Sequence, residues 1–574
     1  MTAALEIPKR PTRKFLPEDL KVTSWQSLKP YFDNLLERKL NSVNDLKKWF
    51  HDRSELESII SEDMAWRYIH MTCYTDNVEY GKSYQDFIQN IQPEIAPVSD
   101  ALNKKAVAST YLGELEKLVG YDMMIRNLKK EIEIFREENV PLYTEINTET
   151  QNYAQVSGAM SVEVDGKEIT LPQASVFLMS TDRKKREEVY HKIASRRLKD
   201  KNELDDLFSK LIQLRDRVSI NAGFKNFRDY MFKSLGRFDY TPQDCFNFHE
   251  AIQREVVPIV DEMTKDRKKK LGVDSLRPWD KAVDAEGKEA LKPFASGKEL
   301  TEKTIACFKR LDPYLGQCLS IMQEMGHLDL ESRKGKAPGG YNYPLAEIGV
   351  PFIFMNATST LRDMVTIMHE GGHAIHNFVT RNLELNDFKS TPSEVAELAS
   401  MSMELLSMDH WDVFFTNEDD LRRAKREHLE DLLETLPWVA TIDKYQHWIY
   451  EHASHSAEER KKEWNSVFDQ FSDTVTDWTG LQEAKDYLWQ KQLHLYEVPF
   501  YYIEYGMAQL GAIAVWRNFR KDRNKGLQGY LNALKLGYTR TIPEIYKAAD
   551  IKFDFSKGYI KELMNFVREE LKKV

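Results

Sequence analysis

Residues 366–376 read TIMHEGGHAIH, and the fold turns on how this stretch is read. An α-helix advances about 100° per residue, so positions four apart share one face, a turn from each other. On a helix, His369 and His373 therefore point the same way. Their imidazoles can close on one Zn²⁺ at about 2.0–2.1 Å each, while Glu370, on the flank, can hold a water beside the ion. With 14 histidines in 574 residues, His-Glu-x-x-His arises by chance in roughly one such chain in thirty to forty. The reading therefore needs a helical setting, a third ligand and a group to handle substrate.

The setting lies just upstream. KAPGGYNYP at 336–344 gives a glycine-rich turn, and GVPFIFMNATS at 349–359 is too short and too apolar for a surface helix, which predicts a strand over 351–357. That strand is expected to bind an extended peptide by edge pairing. Thr360 to Asp363 resembles a capping box and opens the helix that carries both histidines.

A third ligand must come from a facing helix, since a reactive zinc site keeps three protein ligands and one open position. Thr391-Pro392-Ser393-Glu394 predicts a helix start with Thr391 as N-cap, and the helix continues as SEVAELASMSMELLSM. Glu397 sits among Val395, Ala396, Leu398 and Ala399, and Glu404 follows two turns later on nearly the same face. Burying an unpaired carboxylate is costly. Glu397 is accordingly expected as the third ligand and Glu404 as a hydrogen-bond partner behind the ligands. His376 shares the face but lies about 10 Å along the axis from His369, too far for one ion. A third histidine ten residues after the first, another arrangement of such sites, is excluded by Val379.

HLYEVPFYYIEYGMAQLGAIAVW at 494–516 gathers tyrosines just after His494. Pro499 is expected to start a helix there, with Tyr501 and Tyr505 on one face. A phenol in such a place can donate a hydrogen bond to an oxyanion as it forms.

Composition supports a helical frame. There are 25 glycines and 20 prolines, about 8% of the chain against a usual ~12%. The 91 acidic and 81 basic residues leave a net charge of −10, so no global field invites nucleic acid or an anionic membrane. Four cysteines without C-x-x-C spacing suggest reduced thiols and a cytoplasmic location. The opening MTAALEIPKRPTRKF lacks an apolar core, and no window offers a membrane span, so neither export nor anchoring is expected.

From about 20 to 150, apolar residues recur at three and four, as in LERKLNSVNDLKKWFHDRSELESII, which predicts packed helices. SVEVDGKEITL at 161–171, with Asp165-Gly166 at its centre, predicts a β-hairpin. Helical text resumes at TDRKKR and runs to about 325, broken at 271–300 around LRPWD.

HEGGHAIH, AELAS with Glu404 beyond it, and FYYIEYG together resemble the thimet oligopeptidase and oligoendopeptidase F family of zinc metallopeptidases. AELAS favours the oligoendopeptidase F branch, because thimet-like enzymes carry a proline in that segment. The resemblance implies a mainly α fold of two helical lobes enclosing a deep channel, with a small β-sheet beside the active-site helix. An N-terminal helical region is expected over 1–155, where only general helicity matches the family, and a catalytic region over 156–574 with its core at about 336–510. The resemblance makes His369, His373 and Glu397 ligands of one zinc ion per chain and Glu370 the general base. It also places His494, Tyr501 and Tyr505 against substrate or its oxyanion, with Tyr502 able to take either tyrosine's part. The implied reaction is hydrolysis of internal bonds in short unfolded peptides. An inactive peptide-binding protein and a zinc aminopeptidase are the alternatives. The first is disfavoured by Glu370 and the second by the lack of a Gly-x-Met-Glu-Asn segment. Oligomeric state stays open.

Overall fold

The computed structural model describes residues 6–337 and 339–574. The fold is mainly helical, with a hairpin and one three-stranded sheet among the described residues. Its helices include α1 (Val43–Cys73), α2 (Pro242–Glu255), α3 (Gly297–Leu311), α4 (Leu361–Thr380), α5 (Ser393–Ser407), α6 (Glu418–Glu451) and α7 (Tyr502–Lys521). No described helix is long and apolar enough to cross a membrane.

The chain folds into two compact units, neither continuous in sequence. The first takes the chain up to Glu137, Lys292–Arg422 and Gly511–Phe553; the second takes Glu138–Leu291, Arg423–Leu510 and Asp554–Val574.

In the first unit, α1 starts where Ser42 accepts a hydrogen bond from the Asp45 amide, an N-cap that satisfies an otherwise orphaned donor. Leu46, Trp49, Phe50, Leu56 and Ile59 then recur at helical spacing and are buried. They pack with Leu28, Phe32, Leu102 and Tyr121, and also with Leu385 and Phe388 from far along the chain. Each such side chain taken from water stabilises by about 1.5–3 kcal/mol.

The hairpin pairs β1 (Ser161–Val164) with β2 (Lys167–Thr170). Asp165 and Gly166 both have positive φ, 53° and 74°, the backbone state that a tight two-residue hairpin turn requires.

The other sheet has the order β3 (Leu328–Glu331), β5 (Phe352–Ala357), β4 (Tyr341–Tyr343). β5 runs parallel to β3 and antiparallel to β4. The strand expected over 351–357 thus begins at Phe352; Pro351, with no amide hydrogen to give, stays outside it. Both edges of β5 are paired, so the expectation that it receives a peptide by edge pairing is corrected. Phe352, Ile353, Phe354 and Met355 are all buried, as a central strand covered on both faces demands. Among the described residues, β4 is an edge strand of this sheet and is tied to α4 through Asn342.

α4 opens with the expected capping box: Thr360 Oγ1 accepts from the Asp363 amide at 3.2 Å, and Asp363 Oδ2 accepts from the Thr360 amide at 2.9 Å. α5 starts differently from expectation. Its N-cap is Pro392 rather than Thr391, because the Pro392 carbonyl is the first to accept amides of the helix, those of Val395 and Ala396. Pro499 likewise starts no helix. Phe500 adopts φ 67° and interrupts the path, so α7 begins at Tyr502.

Candidate metal centre

α4 and α5 cross within the first unit and bring the sequence-predicted ligands together. His369 Nε2 lies 3.2 Å, and His373 Nε2 3.8 Å, from the same oxygen, Oε2 of Glu397. The donor atoms of the three residues all lie within 4.8 Å of one another. Around a tetrahedral ion with bonds of 2.0–2.1 Å, neighbouring donors stand about 3.3 Å apart, so two neutral imidazoles and one carboxylate fit a zinc-sized cation here. The two rings stand 4.9 Å apart at 83°, which leaves their nitrogens converging rather than stacked.

A further layer of contacts orients these donors. His369 Nδ1 and Glu404 Oε1 are 2.7 Å apart; with an ion on Nε2, the ring's one remaining hydrogen would sit on Nδ1 and go to that carboxylate. His373 hydrogen-bonds the backbone of Ala396 in the same manner. Ser400 Oγ donates to Glu397 Oε2 at 3.0 Å. Glu370 is 8% exposed, and its carbonyl accepts from the Asn342 amide group at 3.3 Å, which ties the histidine helix to β4. His376 is buried away from this cluster.

Local electrostatics follow from burial and these partners. Burial pushes the Glu370 carboxyl up to about 7, with the His369 charge working against it. Burial lowers His373 to about 4, which keeps its ring neutral, as a ligand must be. For His369 burial also disfavours the charge, but the hydrogen bonds to Glu397 and Glu404 outweigh it and raise the ring well above its ordinary value.

Two glycines set how closely the helices approach. A Cβ at Gly372 would sit 2.6 Å from both Ala399 O and Ser400 Cα, and one at Gly371 would sit 2.6 Å from Phe308 Cζ on α3. The first obstacle is backbone and cannot swing aside. Gly372→Ala is therefore expected to force α4 and α5 apart, lowering stability by about 1–3 kcal/mol and weakening metal affinity. Thermal melting and a zinc titration check this; unchanged affinity would mean that the crossing does not set the site. Sequence reading alone missed Gly372, Ser400 and Asn342. Only the serine carried a signal, as the last member of Glu-x-x-Ser.

The predicted tyrosines form a cluster of their own in the second unit. Tyr502 Oη donates to Gln492 Oε1 at 3.2 Å, and Gln492 Nε2 lies 2.7 Å from His494 Nδ1. An amide nitrogen donates, so His494 Nδ1 accepts and its hydrogen sits on Nε2, which faces Tyr505 Oη at 3.5 Å. This polarity lets Tyr505 accept from His494 and direct its own proton elsewhere. Tyr501, 5.2 Å from Tyr505 between ring centres, lies just before α7 rather than on it.

A helix-borne pair of histidines, a carboxylate on the neighbouring helix and a flanking glutamate could together hold a hydrolytic metal ion, and comparison with known proteins points to the same class. Residues 176–565 match Peptidase family M3, and residues 15–135 match the Peptidase M3 N-terminal domain. The chain is 22% identical over 499 residues to an oligoendopeptidase F homolog of Lactococcus lactis subsp. lactis (strain IL1403), covering 83% of this chain and 78% of that protein. It is likewise 22% identical over 500 residues to the plasmid oligoendopeptidase F of Lactococcus lactis subsp. cremoris, with coverage of 83% and 78%. Among solved structures, PZ peptidase A with inhibitor 2 superposes with a TM-score of 0.91 at 25% identity, over 98% of this chain and 99% of that one.

The protein is a metallopeptidase. It belongs to peptidase family M3, in its oligoendopeptidase F-like part.

Proposed function

We propose that the protein is a zinc-dependent endopeptidase that cleaves internal bonds of short unfolded peptides. The convergence of His369, His373 and Glu397, with Glu370 beside them and Glu404 behind His369, carries this reading. A zinc ion held by those three residues would polarise a peptide carbonyl and make a water acidic enough to attack at neutral pH. Glu370, its carboxyl lifted towards neutrality by burial, takes the proton of the attacking water and returns it to the departing amine. The edge of β4, tied to α4 through Asn342, pairs with the peptide main chain, which is indifferent to side chains and permits broad specificity.

Resemblance to the family assigns the oxyanion to the tyrosines, and the polarity of the Gln492–His494 chain favours Tyr505 as the donor. Tyr505→Phe is expected to lower kcat about 10²–10³-fold with little change in KM. Tyr501→Phe and Tyr502→Phe are expected to do less. Equal, small losses from all three would make the cluster a packing feature.

A cytoplasmic setting, and the division of the chain near residue 155, belong to the same proposal. The gap between the two matched stretches, 15–135 and 176–565, supports that division.

Incubation with a mixed peptide library, followed by mass spectrometry with and without a chelator, tests the reading. Internal cleavage that stops with the chelator and returns with added zinc is expected. Stepwise loss of N-terminal residues would make the protein an aminopeptidase, and peptides retained intact would make it a receptor.

A further inference from the structure

A second set of metal donors lies in the second unit and shares no residue with the centre on α4 and α5. α2 carries Cys245 and His249, and α6 carries Asp443 and His447. Each pair is spaced i,i+4, so each helix offers its two side chains from one face. All four residues are buried: Cys245 and Asp443 at 0%, His447 at 1% and His249 at 2% exposure. Donor atoms of Cys245, Asp443 and His447 lie within 4.8 Å of one another.

Hydrogen bonding leaves this cluster incompletely satisfied. His249 Nε2 bonds Asp443 Oδ2 at 2.8 Å. His447 Nε2 is 3.3 Å from the same oxygen, yet it is not aligned for a hydrogen bond, and neither nitrogen of that ring has a partner among the described residues. Asp443 Oδ1 and His249 Nδ1 are also without one. Buried polar atoms are nearly always paired, because leaving them bare in a dry interior costs stability. A nitrogen and an oxygen misaligned for a hydrogen bond but about 3.3 Å apart have the spacing of two ligands on one tetrahedral cation.

We propose that Cys245, Asp443 and His447 hold a structural Zn²⁺ that joins α2 to α6. Asp443 supplies both oxygens, and His249 fixes that carboxylate through its hydrogen bond, the support that a ligating carboxylate ordinarily receives. A thiolate and an imidazole in one site select zinc over magnesium or calcium. The surroundings are apolar: Phe246 lies 4.8 Å and Phe500 5.4 Å from His447 between ring centres, and Phe471 lies 6.4 Å from His249. With no exposed donor, the site has no position open to substrate, which separates it in kind from the centre on α4 and α5.

The proposal does not depend on the catalytic reading, and cobalt separates the two. Full-length protein produced with Co²⁺ in place of zinc should show the intense near-ultraviolet absorption of sulfur-to-cobalt charge transfer. His369, His373 and Glu397 contain no sulfur and cannot give that band. Cys73, Cys307 and Cys318 belong to no comparable donor cluster among the described residues. Cys245→Ser should abolish the band and leave peptide cleavage in place. Elemental analysis should find about two zinc ions per chain in the unaltered protein, and about one in either Cys245→Ser or His373→Ala. Cobalt bound without the charge-transfer band, or equal zinc in Cys245→Ser and the unaltered protein, would overturn the site. If Cys245→Ser does not fold, the spectrum of the unaltered protein still decides.

Discussion

Glu370→Gln is expected to lower kcat by about 10²–10⁴-fold, the usual contribution of a positioned general base, while zinc stays bound. The substitution keeps size and shape and removes only the ability to accept a proton. Glu370 is not among the three converging donors, so metal content should match that of the unaltered protein. Steady-state kinetics on a fluorogenic peptide, with elemental analysis of the same sample, measures both. A variant that cleaves at near the original rate would leave proton transfer to another group and defeat the proposed mechanism.

Loss of a direct ligand should be more severe still. Glu397→Ala removes the oxygen that both histidines face and is expected to abolish zinc binding at this centre, and cleavage with it. Glu404→Ala removes the partner of His369 Nδ1 and leaves the three ligands in place, a change that typically costs about 10–100-fold in affinity or activity. Zinc titration against a competing chelator ranks the two. If Glu404→Ala proved the worse, the roles given to these carboxylates would be exchanged.

Much of the candidate site was legible because helical geometry is local. Spacing alone placed His369 and His373 on one face and put Glu397 and Glu404 two turns apart. The crossing itself was not legible, since the need for glycine at 372 appears only when the Ala399 carbonyl stands against it. Proline misled twice. At 392 it precedes the helix instead of entering it, and at 499 it is followed by Phe500 in a left-handed state that non-glycine residues seldom adopt. The position of β5 could have been read better: four consecutive apolar residues mark a strand covered on both faces, whereas an edge strand tends to alternate or carry charge. The discontinuous units lay beyond any local pattern, because nothing in α1 announces that Leu385 and Phe388 will cover it.

That last arrangement bears on how the protein is made. A nascent chain leaves the ribosome from its N-terminus, and a domain can close only after its last piece has been synthesised. The first unit draws on residues up to Phe553, so α1 and its neighbours emerge early and wait through most of translation with part of their apolar face bare. Cells should therefore hold the nascent protein on chaperones for longer than its size alone would suggest. A fragment ending near residue 155, expressed alone, should collect as aggregate instead of as a soluble domain.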